Sequence, residues 1–214
     1  MRFSLLLAAL LALTTPAAAQ VDCPGCVLGI WDHQDILSAN RFGILSIGVL
    51  KSVYVGVCLA PGETGISGVE FSVQGLDGLF IAGFGAVTPA ILMLGSVAAP
   101  PNETGTGGIN IGWANCLSGS RALVKIELLT FSPVVNRVLR VTHKYPPSNA
   151  NYNLQPVVTR CDDPQFTAVR VTGGCYILNG DGFPAPSCYP FGGGFCTVGL
   201  SRSTWTQVKA LYRD

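Results

Sequence analysis

The chain has 214 residues, with 13 basic and 12 acidic side chains, and charged residues make up only 12% of it. A chain with so little net charge does not have the excess of basic side chains that binding to nucleic acid or to an anionic membrane requires. Its 26 glycines and 14 prolines favour short strands joined by turns over long helices. We therefore expect a β-rich protein with no nucleic-acid partner.

Residues 1–19 have the order of features of a cleavable export signal. Arg2 supplies a basic start, and residues 3–13 form an apolar run. This run is too short to span a bilayer, since a spanning helix needs about 20 apolar residues. Pro16 then breaks the helix, and Ala17 and Ala19 fit the small-residue rule for cleavage. The sequence predicts a secreted protein, extracellular or periplasmic, that begins at residue 20 after cleavage.

All eight cysteines follow the predicted cleavage site. They are Cys23, Cys26, Cys58, Cys116, Cys161, Cys175, Cys188 and Cys196. An even number of cysteines in an exported chain indicates disulfides, because the compartment is oxidising. Many pairings are open, and proximity along the chain suggests four of them. These are Cys188 with Cys196, Cys161 with Cys175, Cys58 with Cys116, and Cys23 with Cys26.

Alternation of apolar and polar residues dominates the chain after the signal. It occurs in residues 53–57, 69–74, 109–113, 124–128, 139–142 and 169–172. Half-buried strands separated by Gly, Pro and Asn turns indicate two packed antiparallel sheets. We predict an all-β fold, a two-sheet antiparallel β-sandwich of the jelly-roll or immunoglobulin-like kind, over residues 20–183.

One stretch competes with this interpretation. From Leu79 to Ala99 the chain is almost wholly apolar and is long enough for a transmembrane helix. Pro89 at its midpoint, three internal glycines and the lack of Lys or Arg at either end argue against a spanning helix. We expect two buried strands instead, over residues 79–84 and 90–94, and no membrane partner.

The C-terminal end has a different character. Residues 184–203 form a Gly- and Pro-rich loop that a disulfide between Cys188 and Cys196 would close. Thr204, with a glutamine three residues later, fits a capping box, so residues 204–214 are predicted to form a short amphipathic helix. The apolar residues of this helix are Trp205, Val208, Leu211 and Tyr212. A helix this short needs a surface to pack on, either the flank of its own domain or a partner.

The densest polar cluster runs from Trp31 to Asp35, with His33 between Asp32 and Asp35. Such a histidine could act as a general base or as a metal ligand. A metal site needs three or four ligands, and no second histidine follows at helical spacing. A solvated loop is therefore the simpler interpretation. A secreted hydrolase that uses these carboxylates, with a Tyr or Arg from another strand, is the alternative.

The Cys23-Pro-Gly-Cys26 motif has the spacing of thiol–disulfide oxidoreductases. No βαβ pattern surrounds it, and the Pro-Gly turn would simply let the two sulfurs meet, so a structural bridge is favoured over a redox protein. Asp22 before Cys23 also argues against an N-terminal lipid anchor.

Two further motifs are compatible with turns. Asn179 and Gly180 begin a sequence that resembles part of a calcium loop but lacks its alternating ligands. Asn102 starts a glycosylation sequon. The sequence contains no nucleotide, metalloprotease or serine-hydrolase motif. We expect neither a metal nor a cofactor.

Several motifs occur in the order found in one family. Gly68 and Phe71 form a Gly-x-x-Phe strand that leads towards Leu79; an Ile-x-Ile strand at Ile109 and a Ser-Gly turn at Ser118 follow. This order resembles the cohesin-like family of secreted β-sandwiches, and the resemblance implies such a sandwich. Members of that family bind a partner module called dockerin or serve as surface and scaffold parts. The cysteines and the chain from residue 134 onward lie outside the pattern.

The C-terminal segment from Trp205 to Arg213 is similar to a tail found in secreted bacterial β-sandwich proteins. Together these features predict a non-enzymatic secreted module that acts in binding or as a surface or extracellular structural component. Its partner would be a protein or a polysaccharide outside the cytoplasm.

Overall fold

The computed structural model describes residues 22–100, 104–152, 154–161 and 167–180. Within these ranges the chain forms twelve strands and a short 3-10 turn over Ala150–Tyr152. The strands are β1 (Asp22–Trp31), β2 (Phe42–Gly43), β3 (Lys51–Cys58), β4 (Gly65–Gln74), β5 (Phe80–Ala86), β6 (Leu92–Ser96), β7 (Gly108–Ser118), β8 (Arg121–Leu129), β9 (Arg137–Thr142), β10 (Val157–Arg160), β11 (Ala168–Gly173) and β12 (Cys175–Leu178). The all-β prediction is confirmed.

The strands form a β-sandwich that is joined through β4. One run of hydrogen-bonded strands has the order β5-β8-β3-β1-β11-β10-β4-β7-β6, and a second has the order β4-β9-β12-β2. The first half of β4 pairs with β7 and β10, and its last three residues pair with β9. Antiparallel pairing dominates, as predicted. The pairs β1–β11 and β2–β12 are parallel, which alternation in the sequence does not reveal.

The predicted alternation places one apolar row of each strand in a shared core. Val53 and Val55 on β3, Ile126 on β8 and Phe71 on β4 are fully buried in the same cluster. Burial of a side chain of this size contributes about 1.5–3 kcal/mol. Since the cluster takes side chains from both runs of strands, burial of these rows holds the two layers together.

The apolar stretch from Leu79 to Ala99 contains β5 and β6, and it is not a helix. In the part of the chain that the structure describes, no helix is both long and apolar enough to cross a membrane. The prediction that both strands are buried was wrong, because all five residues of β6 are exposed. Strand β6 lies at the end of its sheet and pairs with β7 alone among the described strands. It is therefore an edge strand, although its apolar residues suggested a core strand.

The disulfides agree with the predicted pairing at one place and differ at others. Cys23 is joined to Cys26, as expected. Cys116 is joined to Cys161, so the expected pairs of Cys58 with Cys116 and of Cys161 with Cys175 were wrong. Both β7 and β10 pair with β4, which brings the ends of these strands together with a Cα–Cα distance of 5.7 Å.

Two further cysteines lie in described strands, Cys58 at the end of β3 and Cys175 at the start of β12. Cys58 is also disulfide-bonded, and Cys175 is buried. The export signal, Asn102, the loop over residues 184–203 with its predicted Cys188–Cys196 bridge, and the predicted helix over residues 204–214 all lie outside the described residues.

Tyr176 on β12 is fully buried, and its hydroxyl has no hydrogen-bond partner among the described residues. Burial, helped by the charge of Asp32, raises the pKa of this hydroxyl. An unsatisfied buried polar group is destabilising, so Tyr176→Phe is expected to raise the free energy of unfolding by up to about 1 kcal/mol.

Urea unfolding at pH 7 would measure this change. Tyr145→Phe is the matched control, because the Tyr145 hydroxyl accepts a hydrogen bond from Gln74 Nε2 at 3.0 Å. The control is expected to lose about 1 kcal/mol. A loss of stability in Tyr176→Phe as large as that of the control would contradict the assignment.

Candidate functional site: the outer face of β6 and β7

Strand β6 presents apolar side chains to solvent. The exposed fractions are 72% for Ile91, just before the strand, 46% for Leu92, 41% for Met93 and 57% for Leu94. Edge strands are usually protected by Lys, Pro, a bulge or short length. Strand β6 has no charged residue, no proline and a regular register against β7. In the described ranges no strand pairs with its second edge.

Leu92 and Leu94 lie on the outer face of the sheet. They are opposite Gly112 and Asn110 of β7, whereas Met93 is opposite the buried Ile111. Next to them is a groove of about 330 Å³ that runs over β4, β7 and β10. Its lining includes Gly68, Leu92, Asn110, Gly112, Tyr152 and Thr159. Gly68 and Gly112 place no side chain in the groove, and Leu92 forms part of its lining.

A hydrogen-bonded carboxylate shapes this groove. Glu70 on β4 is buried, and its Oε1 accepts a hydrogen bond from the backbone N–H of Ser148 at 2.9 Å. When the side-chain amide of Asn110 is oriented with its nitrogen towards Glu70, this nitrogen donates a hydrogen bond to Glu70 Oε2 at 3.0 Å. Tyr152 lies in the same groove, and its pKa is raised by burial and by the charge of Glu70. The Glu70 carboxylate therefore links Ser148, which precedes the 3-10 turn, to β4, and its second oxygen is bonded to Asn110 on β7.

The polar cluster from Trp31 to Asp35 forms a loop that is closed by its own hydrogen bonds. Asp32 Oδ1 accepts from the N–H of Asn40 at 2.8 Å, and His33 Nδ1 accepts from the N–H of Asp35 at 3.0 Å. Asp35 Oδ2 accepts from Ser38 Oγ at 2.7 Å, and this bond is the main cause of the lowered pKa of Asp35. The carboxylate and imidazole atoms that a hydrolase would use therefore accept hydrogen bonds that stabilise the loop.

The structure does not assemble a metal site from these residues. Across the described ranges no group of three or more His, Cys, Asp or Glu residues could hold a metal ion. His143 is buried, and its ring packs against Tyr145 with the ring centres 4.1 Å apart.

The Cys23–Cys26 bridge lies within the residues of β1 and not at the start of a helix. Both cysteines are buried and belong to the main core cluster. A catalytic thiol needs access and a positive environment. Burial in a core strand supports the structural interpretation of this motif.

Asn179 is a structural residue whose role the sequence did not reveal. Its side-chain nitrogen donates to the carbonyls of Leu45 and Val134 at 2.8 and 2.9 Å, and its oxygen accepts from the N–H of Leu45 at 2.7 Å. Its φ of 52° lies in the left-handed region. The Asn-Gly dipeptide predicted a turn here but not this set of three bonds.

No protein-family model matches the chain, and no curated protein matches it. Solved structures that are similar to it include cohesin modules, the family that the sequence motifs resemble. A type I cohesin from Clostridium thermocellum, solved with a dockerin, is 7% identical with a TM-score of 0.45, and the match covers 77% of this chain and 98% of that chain. The seventh ScaB type I cohesin from Pseudobacteroides cellulosolvens is 12% identical with a TM-score of 0.44, and the match covers 77% of this chain and 97% of that one. The sixth cohesin of scaffoldin B from Acetivibrio cellulolyticus, in complex with a dockerin, is 16% identical with a TM-score of 0.43, over 72% of this chain and 98% of that one. Identity and TM-score are low in each case, so these similarities do not assign the chain to that family.

Proposed function

We propose that this chain is an exported, non-enzymatic module that binds a protein partner through the outer face of β6 and β7. The observation that carries the proposal is the exposure of Leu92 and Leu94 on an uncharged, regular edge strand. Export is supported by the predicted signal over residues 1–19 and by the disulfides between Cys23 and Cys26 and between Cys116 and Cys161.

An extended segment of the partner fits this face best. A strand added beside β6 would form main-chain hydrogen bonds along the open edge, and side chains at alternate positions would supply specificity. Leu92 and Leu94 project on the outer side, next to the groove over β7 and β4, which can hold a partner side chain. The partner segment should be apolar or uncharged at these positions, because burying an unpaired charge against leucine is costly.

The three alternatives that the sequence left open have weaker support at the β6–β7 face. In a hydrolase centred on Asp32, His33 and Asp35, catalysis would have to break the hydrogen bonds that close the loop. A redox protein would have to expose Cys23 and Cys26, which are buried. A polysaccharide would need a more polar surface than the leucines of β6.

Peptide display on the purified mature protein would test the proposed function. Peptides selected from a random library are expected to bind the Leu92→Glu/Leu94→Glu variant at least tenfold more weakly than the wild type. The carboxylates introduce charges that the incoming apolar strand would have to desolvate. Titration calorimetry with two or three selected peptides measures the change.

Ile44→Glu is the matched control, because Ile44 is 75% exposed and lies next to β2, outside the β6–β7 face. It should leave the affinities within twofold. Equal binding to the double variant, or a loss confined to Ile44→Glu, would overturn the proposed face.

A further inference from the structure

A second groove lies on the outer face of β3, β8 and β5. Its central row contains Tyr54, Lys125 and Gly85, which are opposite one another on adjacent strands. The next row places Glu127 opposite Gly83. The groove has a volume of about 480 Å³, within the range of roughly 300–1,000 Å³ that small-molecule sites occupy.

Gly85 on β5 is not explained by the fold alone, whereas a Cβ added at Gly83 would lie 3.3 Å from Glu127 Oε2. Glycine within a strand weakens it and often marks a place where a ligand approaches closely. Neither Gly83 nor Gly85 has a positive φ. A Cβ added at Gly85 would meet no atom within 4 Å, so neither the backbone conformation nor packing requires glycine there. The absence of a side chain at this position leaves the floor of the groove open.

The polar groups of the groove are balanced in charge. Lys125 Nζ and Glu127 Oε1 form an ion pair at 2.6 Å, and the hydrogen bond to Glu127 raises the pKa of Lys125. The side chains of Gln34 and Tyr54 complete the polar lining. The site therefore offers an aromatic ring, an amide, an ammonium and a carboxylate without net charge.

We propose that this groove is a binding site for a neutral oligosaccharide. A sugar ring presents an apolar C–H face that can stack on an aromatic ring such as that of Tyr54. Its hydroxyls both donate and accept hydrogen bonds, which matches the donors and acceptors of Gln34, Lys125 and Glu127. An anionic glycan would meet no excess positive charge, and an apolar peptide would desolvate Gln34 and the Lys125–Glu127 pair without offering them new hydrogen bonds.

This site is distinct from the β6–β7 face and does not depend on the proposed protein partner. Four neutral tetrasaccharides (cellotetraose, laminaritetraose, maltotetraose and mannotetraose) would be titrated calorimetrically at up to 5 mM into the mature protein. At least one is expected to bind. Gly85→Leu, which fills the floor, and Tyr54→Ala, which removes the ring, should each weaken that binding at least tenfold.

Gly112→Ala is the control, because an added Cβ there makes only an ordinary 3.7 Å contact with Leu92 Cβ, and Gly112 lines the separate groove over β4, β7 and β10. It should leave sugar binding unchanged. If Tyr54→Ala fails to fold, Gly85→Leu still tests the site, because a Cβ added at Gly85 meets no atom within 4 Å. Absence of binding by all four sugars, or sugar binding that Gly85→Leu does not weaken, would each overturn the proposal.

Discussion

Replacing both members of the Cys116–Cys161 pair by alanine is expected to lower the free energy of unfolding by about 4 kcal/mol. The two cysteines are 45 residues apart in sequence. A cross-link that closes a loop of this size lowers the conformational entropy of the unfolded chain, which corresponds to about 4 kcal/mol of stability. The bridge also passes close to Gly65, where an added Cβ would lie 2.6 Å from Cys116 Sγ. Guanidinium unfolding under oxidising conditions measures the loss.

The control for this prediction is Ser118→Ala, at the exposed end of the same strand. It should change stability by no more than about 0.5 kcal/mol. If the double cysteine variant loses less than about 1 kcal/mol, the bridge does not restrict the unfolded chain as its position implies.

Asn179→Ala is expected to destabilise the protein by about 4 kcal/mol. The variant loses three hydrogen bonds to the backbone of Leu45 and Val134, each worth about 1 kcal/mol. It also places alanine at a φ of 52°, where L-residues with a Cβ are disfavoured. Because Asn179 follows β12 directly, the loss should loosen the contact between this strand and the segment around Leu45.

Two glycine variants separate the hydrogen bonds from the backbone strain. Asn179→Gly removes the bonds but tolerates the positive φ, so it should lose about 1 kcal/mol less than Asn179→Ala. Asn136, with a φ of 47°, lies nearby, and Asn136→Gly should be close to neutral. Thermal unfolding of the three variants checks the order. Equal stability of Asn179→Gly and the wild type would show that the three bonds contribute nothing.

The strands could be predicted because alternation is local. Residues such as Val53, Val55 and Ile126 recur at the period of a strand, and the side of the strand they occupy follows from the pattern itself. The same pattern also places Tyr54 and Lys125 on the faces of β3 and β8 opposite to Val53, Val55 and Ile126, although the sequence did not single these two residues out.

The position of a strand in the sheet could not be predicted in this way. Met93 and Leu94 have the composition of a core strand, yet β6 is exposed because it lies at the end of its sheet. An edge position is set by which strands pair over long separations, and apolar composition carries no information about that.

The cysteine pairings show the same limit. Cys23 and Cys26 are three residues apart, and their pairing followed from proximity. Cys116 and Cys161 meet only because β7 and β10 flank β4. The groove on β3, β8 and β5 likewise depends on the register that sets Gly85 beside Lys125.

The sequence by itself determined the all-β composition of the described chain and the inward-facing row of most strands, because both follow from side chains two residues apart. It also carries the predicted export signal and the neutral charge. Only the tertiary structure decided that Leu92 and Leu94 are exposed, that Cys116 meets Cys161, and that Gly85 leaves a groove open. Each of these depends on contacts between strands distant in sequence, and the free energy of such contacts is shared over the whole sandwich.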